Sequence, residues 1–431
     1  MVLGGTIGVG ILRLPATIAT YVTSPSLYIG LWIAGGLISL LGAGIYSELG
    51  TRFPKAGGPF VLVQHSMGNR VGFLAGWSDW IANVGSIAYL AVATIEYVNK
   101  LLGVTIPLGI TSSALIIIVS LIHWRGIEES STIQKIMSSL KAVGLVLFII
   151  ACFVYFFQGH RYSEVNSTKS YTSIPLFSAL ILSFRAVFTT YFGFNNAVYF
   201  TEEDKNPQKN LPRSLFFGIV TVMLIYVLIN IGLLAVVPLQ KIAGSILPAA
   251  DVAQKIFGTS GNTIVTILAV VFLVGILNAS VLITPRILYA ISKAGLFFKG
   301  VSTLNKNAIP GMALIISTVV AVTLALTGVF NLILNVTVLF AILVDLLVYL
   351  SIFFARRKYA EPVTYKAWGY PFSAVLMILV TLGLVVGLFF EDTLNCIYSL
   401  IILATALLLY FLFTTFTKKA DLALSATAAI K

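Results

Sequence analysis

Charge is what this chain has least of: 10% of its 431 residues are Asp, Glu, Lys or Arg, and 58% are hydrophobic. With a mean hydropathy of +1.00, that balance excludes an ordinary soluble domain. Cysteine is nearly absent. Cys152 and Cys396 each fall inside an apolar run and carry neither a disulfide framework nor a metal-ligand spacing. His65, His123 and His160 stand apart from one another and read as interfacial side chains rather than ligands. No His-Glu-x-x-His, no Gly-x-Ser-x-Gly and no paired catalytic carboxylates occur within the apolar runs, which argues against an intramembrane enzyme and implies no cofactor. Polar stretches long enough for a separate domain are missing too. The net charge of +12 would suit nucleic acid, but the basic residues are spread over connectors rather than gathered with aromatics on one face.

What the chain does have is apolar runs long enough to cross a hydrocarbon core of roughly 30 Å, which takes about 20 helical residues. Twelve spans fit, over approximately 1–22, 27–51, 71–102, 109–124, 136–157, 175–200, 215–237, 262–294, 311–329, 332–354, 370–390 and 394–416. The connector 53–69, with Pro54, Gly57, Gly58 and Pro59, is too broken for a span and apolar enough to lie at the membrane face. One set of alternate connectors collects most of the Lys and Arg, among them Arg52, Lys55, Arg125, Lys209, Arg213, Lys299 and Arg356; the other holds only Lys100, Arg161, Lys169, Lys241 and Lys255. By the positive-inside rule both termini are cytoplasmic, in a protein of the cytoplasmic membrane.

Two spans are interrupted. Gly4-Gly5-Thr6-Ile7-Gly8-Val9-Gly10-Ile11 precedes Pro15 in the first, where glycine lowers the cost of leaving the helix and proline removes a donor, so the opening is expected at Gly8 to Ile11. Tyr191-Phe192-Gly193-Phe194-Asn195-Asn196 interrupts the sixth. An opened membrane helix needs protein or a watery cavity to receive its backbone, so a break predicts a binding site; the alternative for Gly4 and Gly8 is close helix packing. Breaks in spans one and six enter from opposite faces, as an inverted repeat of five plus five helices requires. The expected organisation is an all-α polytopic protein with repeats at 1–158 and 159–358, and two closing helices with a tail at 359–431.

Several motifs then resemble the amino acid-polyamine-organocation superfamily, in particular its bacterial amino acid permeases. They are Thr6-Ile7-Gly8-Val9-Gly10-Ile11, Glu48-Leu49-Gly50 through Pro54-Lys55-Ala56-Gly57-Gly58-Pro59 to Gly76-Trp77, Glu202-Glu203 with Asn206-Pro207 and Pro212-Arg213, Pro285-Arg286-Ile287-Leu288-Tyr289-Ala290, and Arg356-Arg357 with Pro362 and Gly369-Tyr370-Pro371. Their order and spacing cover nearly the whole chain. The resemblance implies a leucine-transporter-type fold of twelve helices that binds a free amino acid at the two breaks. N–H groups and a positive dipole end at the first break suit a carboxylate, placing it at Gly8, Val9 and Gly10, beside Ile11. By similarity, the ammonium falls to carbonyls of Thr6, Thr189 and Phe192, with Asn195 nearby. Phe194 matches an aromatic that covers the substrate side chain; the bland alternative is a core filler. Val9 stands where the family often carries Ser or Thr, leaving the carboxylate to backbone alone. The chain also starts only a few residues before the break, so part of the first half-helix and its cytoplasmic tail are expected to be missing.

The few charges inside spans complete the reading. Lys141 either snorkels to the interface or, as the resemblance implies, stands where sodium sits in sodium-coupled relatives, contacting the first break and exchanging a proton. Arg13 resembles an outer-gate arginine and is paired provisionally with Asp345, with Arg185 as a rival partner. Asp79 lies deep enough to help choose the substrate, while Glu96 is near an outer end. The implied activity is sodium-independent secondary transport of amino acids, by proton symport or exchange. The lack of charge near the breaks tilts the reading toward neutral substrates. A cationic amino acid or polyamine exchanger is the runner-up, with Asp79 as its acid, and a non-transporting sensor or a channel is the alternative of another class. Oligomeric state is not legible.

Overall fold

The computed structural model describes residues 2–160, 175–361 and 363–429. Most of the polar connector expected at 159–173, together with Pro362 and Lys431, lies outside the described residues. In chain order the helices are α1 (Val2–Thr6), α2 (Gly10–Tyr21), α3 (Pro25–Arg52), α4 (Pro59–Met67), α5 (Asn69–Leu102), α6 (Leu108–Arg125), α7 (Ile127–Phe157) and α8 (Leu176–Thr190). A 3-10 segment, Phe194–Phe200, follows α8. Then come α9 (Pro207–Val236), α10 (Leu239–Ala243), α11 (Pro248–Phe257), α12 (Ser260–Lys293), α13 (Gly311–Thr327), α14 (Phe330–Lys358), α15 (Phe372–Glu391) and α16 (Thr393–Ala429).

Among the described residues ten helical segments are long and apolar enough to cross a membrane. Of the twelve expected spans, two fall short of that length: the first is divided into α1 and α2, and α13 has 17 residues. Exposed apolar side chains such as Ile118, Leu121, Leu147, Leu379 and Leu408 cover the outside, as a protein solvated by lipid requires. α5 packs on α4, α12 and α14, while α3 packs on α9 and α2 on α8.

One connector is itself helical. Residues 59–67 form α4, whose Pro59, Phe60, Val61, Leu62 and Val63 are buried, packed on α5 and α14 rather than left open on one side. Gly57, at φ +118°, is the reason it can tuck in. A Cβ there would stand 2.3 Å from that of Ala290 on α12, so only glycine lets the chain turn this close.

Candidate functional site

The first break runs over Ile7 to Val9, with α2 resuming at Gly10, two residues earlier than glycine and proline content suggests. The Leu12 N–H is caught by the Val9 carbonyl at 3.0 Å, which restarts the helix. Pro15 then sits inside α2, where it leaves the Ile11 carbonyl without its usual donor. Among the described residues no backbone carbonyl accepts the N–H groups of Val9, Gly10 or Ile11. These are the orphan donors of a helix N-terminus.

The second break follows α8. Tyr191 and Phe192 close back onto Phe188 and Thr189 at 3.0 and 3.3 Å, and Gly193 at φ +92° turns the chain into the 3-10 segment. Here the end of α1, just before the first break, touches the second break, backbone to backbone. A Cβ on Gly193 would lie 2.7 Å from the Gly5 oxygen, and one on Gly5 would lie 2.2 Å from Asn196 Nδ2. Beside this contact stands the buried Tyr226 of α9, whose hydroxyl lies 3.0 Å from the Thr6 oxygen and 3.1 Å from the Thr190 oxygen. One hydroxyl proton is thus shared between carbonyls of both broken helices.

Thr6, Gly8, Val9, Gly10, Ile11, Thr189, Phe192, Phe194 and Asn195 all border one cavity of about 330 Å³. Phe194 does so with its flank. It is 1% exposed and packs on Tyr46 at 5.8 Å between ring centroids, whereas the half-buried Phe192 stands edge-on to Phe188 at 5.5 Å. Of the two, Phe192 has the more open ring.

Lys141 does not snorkel. It is fully buried, and its ammonium donates to the carbonyls of Gly4 at 2.9 Å and Ile7 at 3.0 Å. Opening the first helix frees those oxygens, and Gly275 on α12 leaves room for the stem. A buried ammonium so placed is satisfied by groups the break itself supplies.

The conjectured pairing of Arg13 with Asp345 is not what the structure shows. Arg13 is exposed, with Tyr89 and Tyr97 as its electrostatic neighbours. Tyr89 lies 4.8 Å from Phe330 at the start of α14, and Asp345 is about 22 Å further along that helix at 1.5 Å per residue. Asp345 instead accepts from the Tyr46 hydroxyl at 2.5 Å and from Asn195 Nδ2 at 3.4 Å. Arg185 lies against Gly387 of α15. What the cavity does contain is a second acid. Asp79 accepts from the Tyr199 hydroxyl at 2.8 Å and from Asn83 at 3.0 Å. Both acids line the cavity, and no Lys, Arg or His is among the described residues lining it.

A family model described as "Amino acid permease" matches residues 1–414. The chain belongs to the amino acid permease family. Relatives of the permease include the b(0,+)-type amino acid transporter 1 of Mus musculus, 24% identical over 96% of this chain and 86% of the relative. The branched-chain amino acid permease BcaP of Lactococcus lactis is 23% identical over 96% of this chain and 93% of its own. The serine/threonine exchanger SteT of Bacillus subtilis is 26% identical over 95% and 94%. With its many apolar helices, the permease is a multi-pass membrane protein.

The remaining motifs of the permease prove to be clamps at the helix ends richest in Lys and Arg. The buried Glu48 of α3 takes a two-pronged bond from Arg356 of α14, at 2.8 and 2.6 Å, and the Ala367 N–H at 2.7 Å. Arg356 also covers the Tyr370 ring at 3.7 Å. Beyond the second break, Glu203 pairs with Arg286 of α12 at 2.8 Å. Glu202 accepts the Ala56 N–H at 2.8 Å and Lys293 at 3.3 Å. The Ala56 N–H, helped by Lys293 and Lys55, holds the Glu202 carboxyl below its ordinary 4.5. His123 is a further correction. It is buried, not interfacial, and bonds Asn278 at 3.0 Å, which in turn donates to Gln134 at 2.7 Å.

Proposed function

We propose that the permease moves a free amino acid across the cytoplasmic membrane by alternating access around the two helix breaks. The observation that carries this is that Val9, Gly10 and Ile11, whose N–H groups no backbone carbonyl among the described residues accepts, line a cavity that the second break also borders. A cavity of about 330 Å³ suits a small zwitterion. In this reading the substrate carboxylate sits on those N–H groups, and the ammonium takes the Phe192 carbonyl together with the second lone pairs of the Thr189 and Thr6 oxygens, which already accept the Phe192 N–H and the Tyr226 hydroxyl. Phe192 and Phe194 flank the side chain. The twelve-span reading, with repeats over 1–158 and 159–358 and both termini cytoplasmic, is the topology in which breaks from opposite faces meet at midplane. Lys141 supplies a positive charge where the first break offers oxygens, so a sodium ion is not needed there, and loss and regain of the Lys141 proton as the permease changes state is the proposed coupling step.

A second reading concerns the side chain. Asp79 and Asp345 on one cavity without a basic neighbour favour a substrate carrying a second positive charge, contrary to the tilt toward neutral substrates. Thermal unfolding of the purified permease against all common amino acids and several polyamines, in sodium and in potassium, tests both. A ligand at 100 times its Kd adds about 2.7 kcal/mol to the folded state. Stabilisation by neutral amino acids in either salt supports the first reading, stabilisation confined to Lys, Arg or polyamines supports the second, a sodium requirement overturns the Lys141 assignment, and silence across the panel overturns transport of this class.

A further inference from the structure

Away from the central cavity, a groove of about 500 Å³ opens where α9 begins, between that helix and the link 363–371 that leads into α15. Lys209 and Arg213 stand on one wall, one turn apart, and Phe216, Phe217, Tyr365 and Trp368 are among the residues that complete the lining. Phe216 meets Trp368 edge-on at 5.4 Å. The two cations are exposed and make no hydrogen bond or ion pair among the described residues. The acids of the preceding loop are engaged elsewhere. Asp204 is taken by the Asn206 N–H and by Asn210 at 2.7 Å, Glu203 by Arg286 and Glu202 by Lys293.

The groove does not end in water. From Arg213 the same face of α9 continues through Phe217, Leu224, Leu228 and Ile231, which are 63, 54, 42 and 36% exposed. That stripe runs about 21 Å at 1.5 Å per residue, more than half of a hydrocarbon core of about 30 Å. Two unpaired cations at the head of an unpartnered apolar stripe, with aromatic rings at the boundary, form the complement of an anion attached to a hydrocarbon chain. A soluble anion would use the cations and leave the stripe idle. The position, at the helix end where basic residues gather, is where anionic headgroups lie in a membrane.

We propose that this groove binds an anionic phospholipid, its phosphate on Lys209 and Arg213, its headgroup against Trp368 and Tyr365, and one acyl chain along Phe217 to Ile231. Occupation would tie α9 to the link that reaches Trp368. The test uses the full chain in dodecylmaltoside micelles, titrated with dioleoyl-phosphatidylglycerol, dioleoyl-phosphatidylcholine or inorganic phosphate while the unfolding temperature is recorded. Phosphatidylglycerol raises it saturably, and the other two do not. In Lys209→Gln/Arg213→Gln the half-saturating phosphatidylglycerol concentration rises about 30-fold, two charges at about 1 kcal/mol each. Lys135→Gln/Lys306→Gln, with the same change in net charge on exposed lysines elsewhere, retains the wild-type midpoint. Equal shifts with phosphatidylcholine, shifts reproduced by phosphate alone, or equal losses in both double variants would each overturn the proposal. Both variants change exposed side chains, so their unfolding temperatures without lipid should match wild type; a groove variant that starts lower and still responds at the wild-type midpoint counts against it.

Discussion

The contact between Gly275 and Lys141 offers a sharp test of how the first break is held. A Cβ at position 275 would stand 2.5 Å from Lys141 Cε, 3.0 Å from Nζ and 3.3 Å from Met137 Cβ, against a carbon contact distance of about 3.5–4.0 Å. Gly275→Ala must therefore push the end of the lysine by about 1 Å, which takes an ammonium now at 2.9 and 3.0 Å from its two carbonyls out of bonding range of at least one. A hydrogen bond to a charged group contributes about 1.5–3 kcal/mol, and overpacking costs about 1–3 kcal/mol by itself. We expect Gly275→Ala to lose about 2–4 kcal/mol. Lys141→Ala, which strands two buried carbonyls, should lose a similar amount. The double variant is the diagnostic. With the stem gone the new methyl enters vacated space, so Gly275→Ala in that background should cost less than about 1 kcal/mol, a coupling of about 2 kcal/mol. With an unfolding entropy of about 2.1 cal/mol/K per residue, that coupling is about 2 °C for a chain of 431 residues. Unfolding of the four proteins in detergent, followed by tryptophan fluorescence, reads it. Losses that add within about 0.5 kcal/mol would show that Gly275 does not act through Lys141.

Three further outcomes are expected. Tyr226→Phe strands the Thr6 or Thr190 carbonyl and should destabilise by about 1–3 kcal/mol, with loss of uptake in proteoliposomes; unchanged stability and uptake would remove the hydroxyl from the mechanism. Gly193→Ala forces a left-handed residue, at a cost of about 1–2 kcal/mol, into a site 2.7 Å from the Gly5 oxygen, and should abolish substrate-induced stabilisation while the protein remains in the membrane. For Glu202 the folded-state pKa lies below 4.5, so its contribution is present above pH 4.5 and lost as the pH falls from 4.5 through the folded value. Glu202→Gln should flatten the decline in unfolding temperature within that window and leave the curve above it parallel; the effect is small, because the carboxylate is 43% exposed and screened.

Much of this site was legible because breaks leave a local mark. Glycines inside an apolar run located both interruptions to within two residues, and the nine residues assigned there, some from the breaks and Thr6, Thr189, Phe192 and Phe194 from the family resemblance, border a single cavity. Long-range partners leave no such mark. Tyr226 sits in an unremarkable stretch of α9, yet its two carbonyls are 220 and 36 residues away. Tyr46 and Asp345 are 299 residues apart. Asp345 was assigned to the wrong level because depth along a span does not say which residues of other helices stand at that height. The packing of α4 left no mark either: its Pro and Gly content reveals a turn but not the crevice that receives it. Motifs such as Glu48 and Arg356 marked the family while concealing that they form a clamp.

The meeting of Gly5 and Gly193 bears on how such a protein changes shape. Side chains that interdigitate behave like gear teeth, and each step past one another must be climbed. At Gly5 and Gly193 neither residue has a tooth to offer, so backbone comes close to backbone, with the Asn196 side chain packed beside Gly5. In the alternating-access reading proposed above, a swivel about that point would re-aim the half-helices on either side of it with the Asn196 side chain to carry along. The nearby tyrosine proton, placed between one carbonyl from each interruption, then acts as a thread across the joint, short enough that neither part turns far before the other feels it.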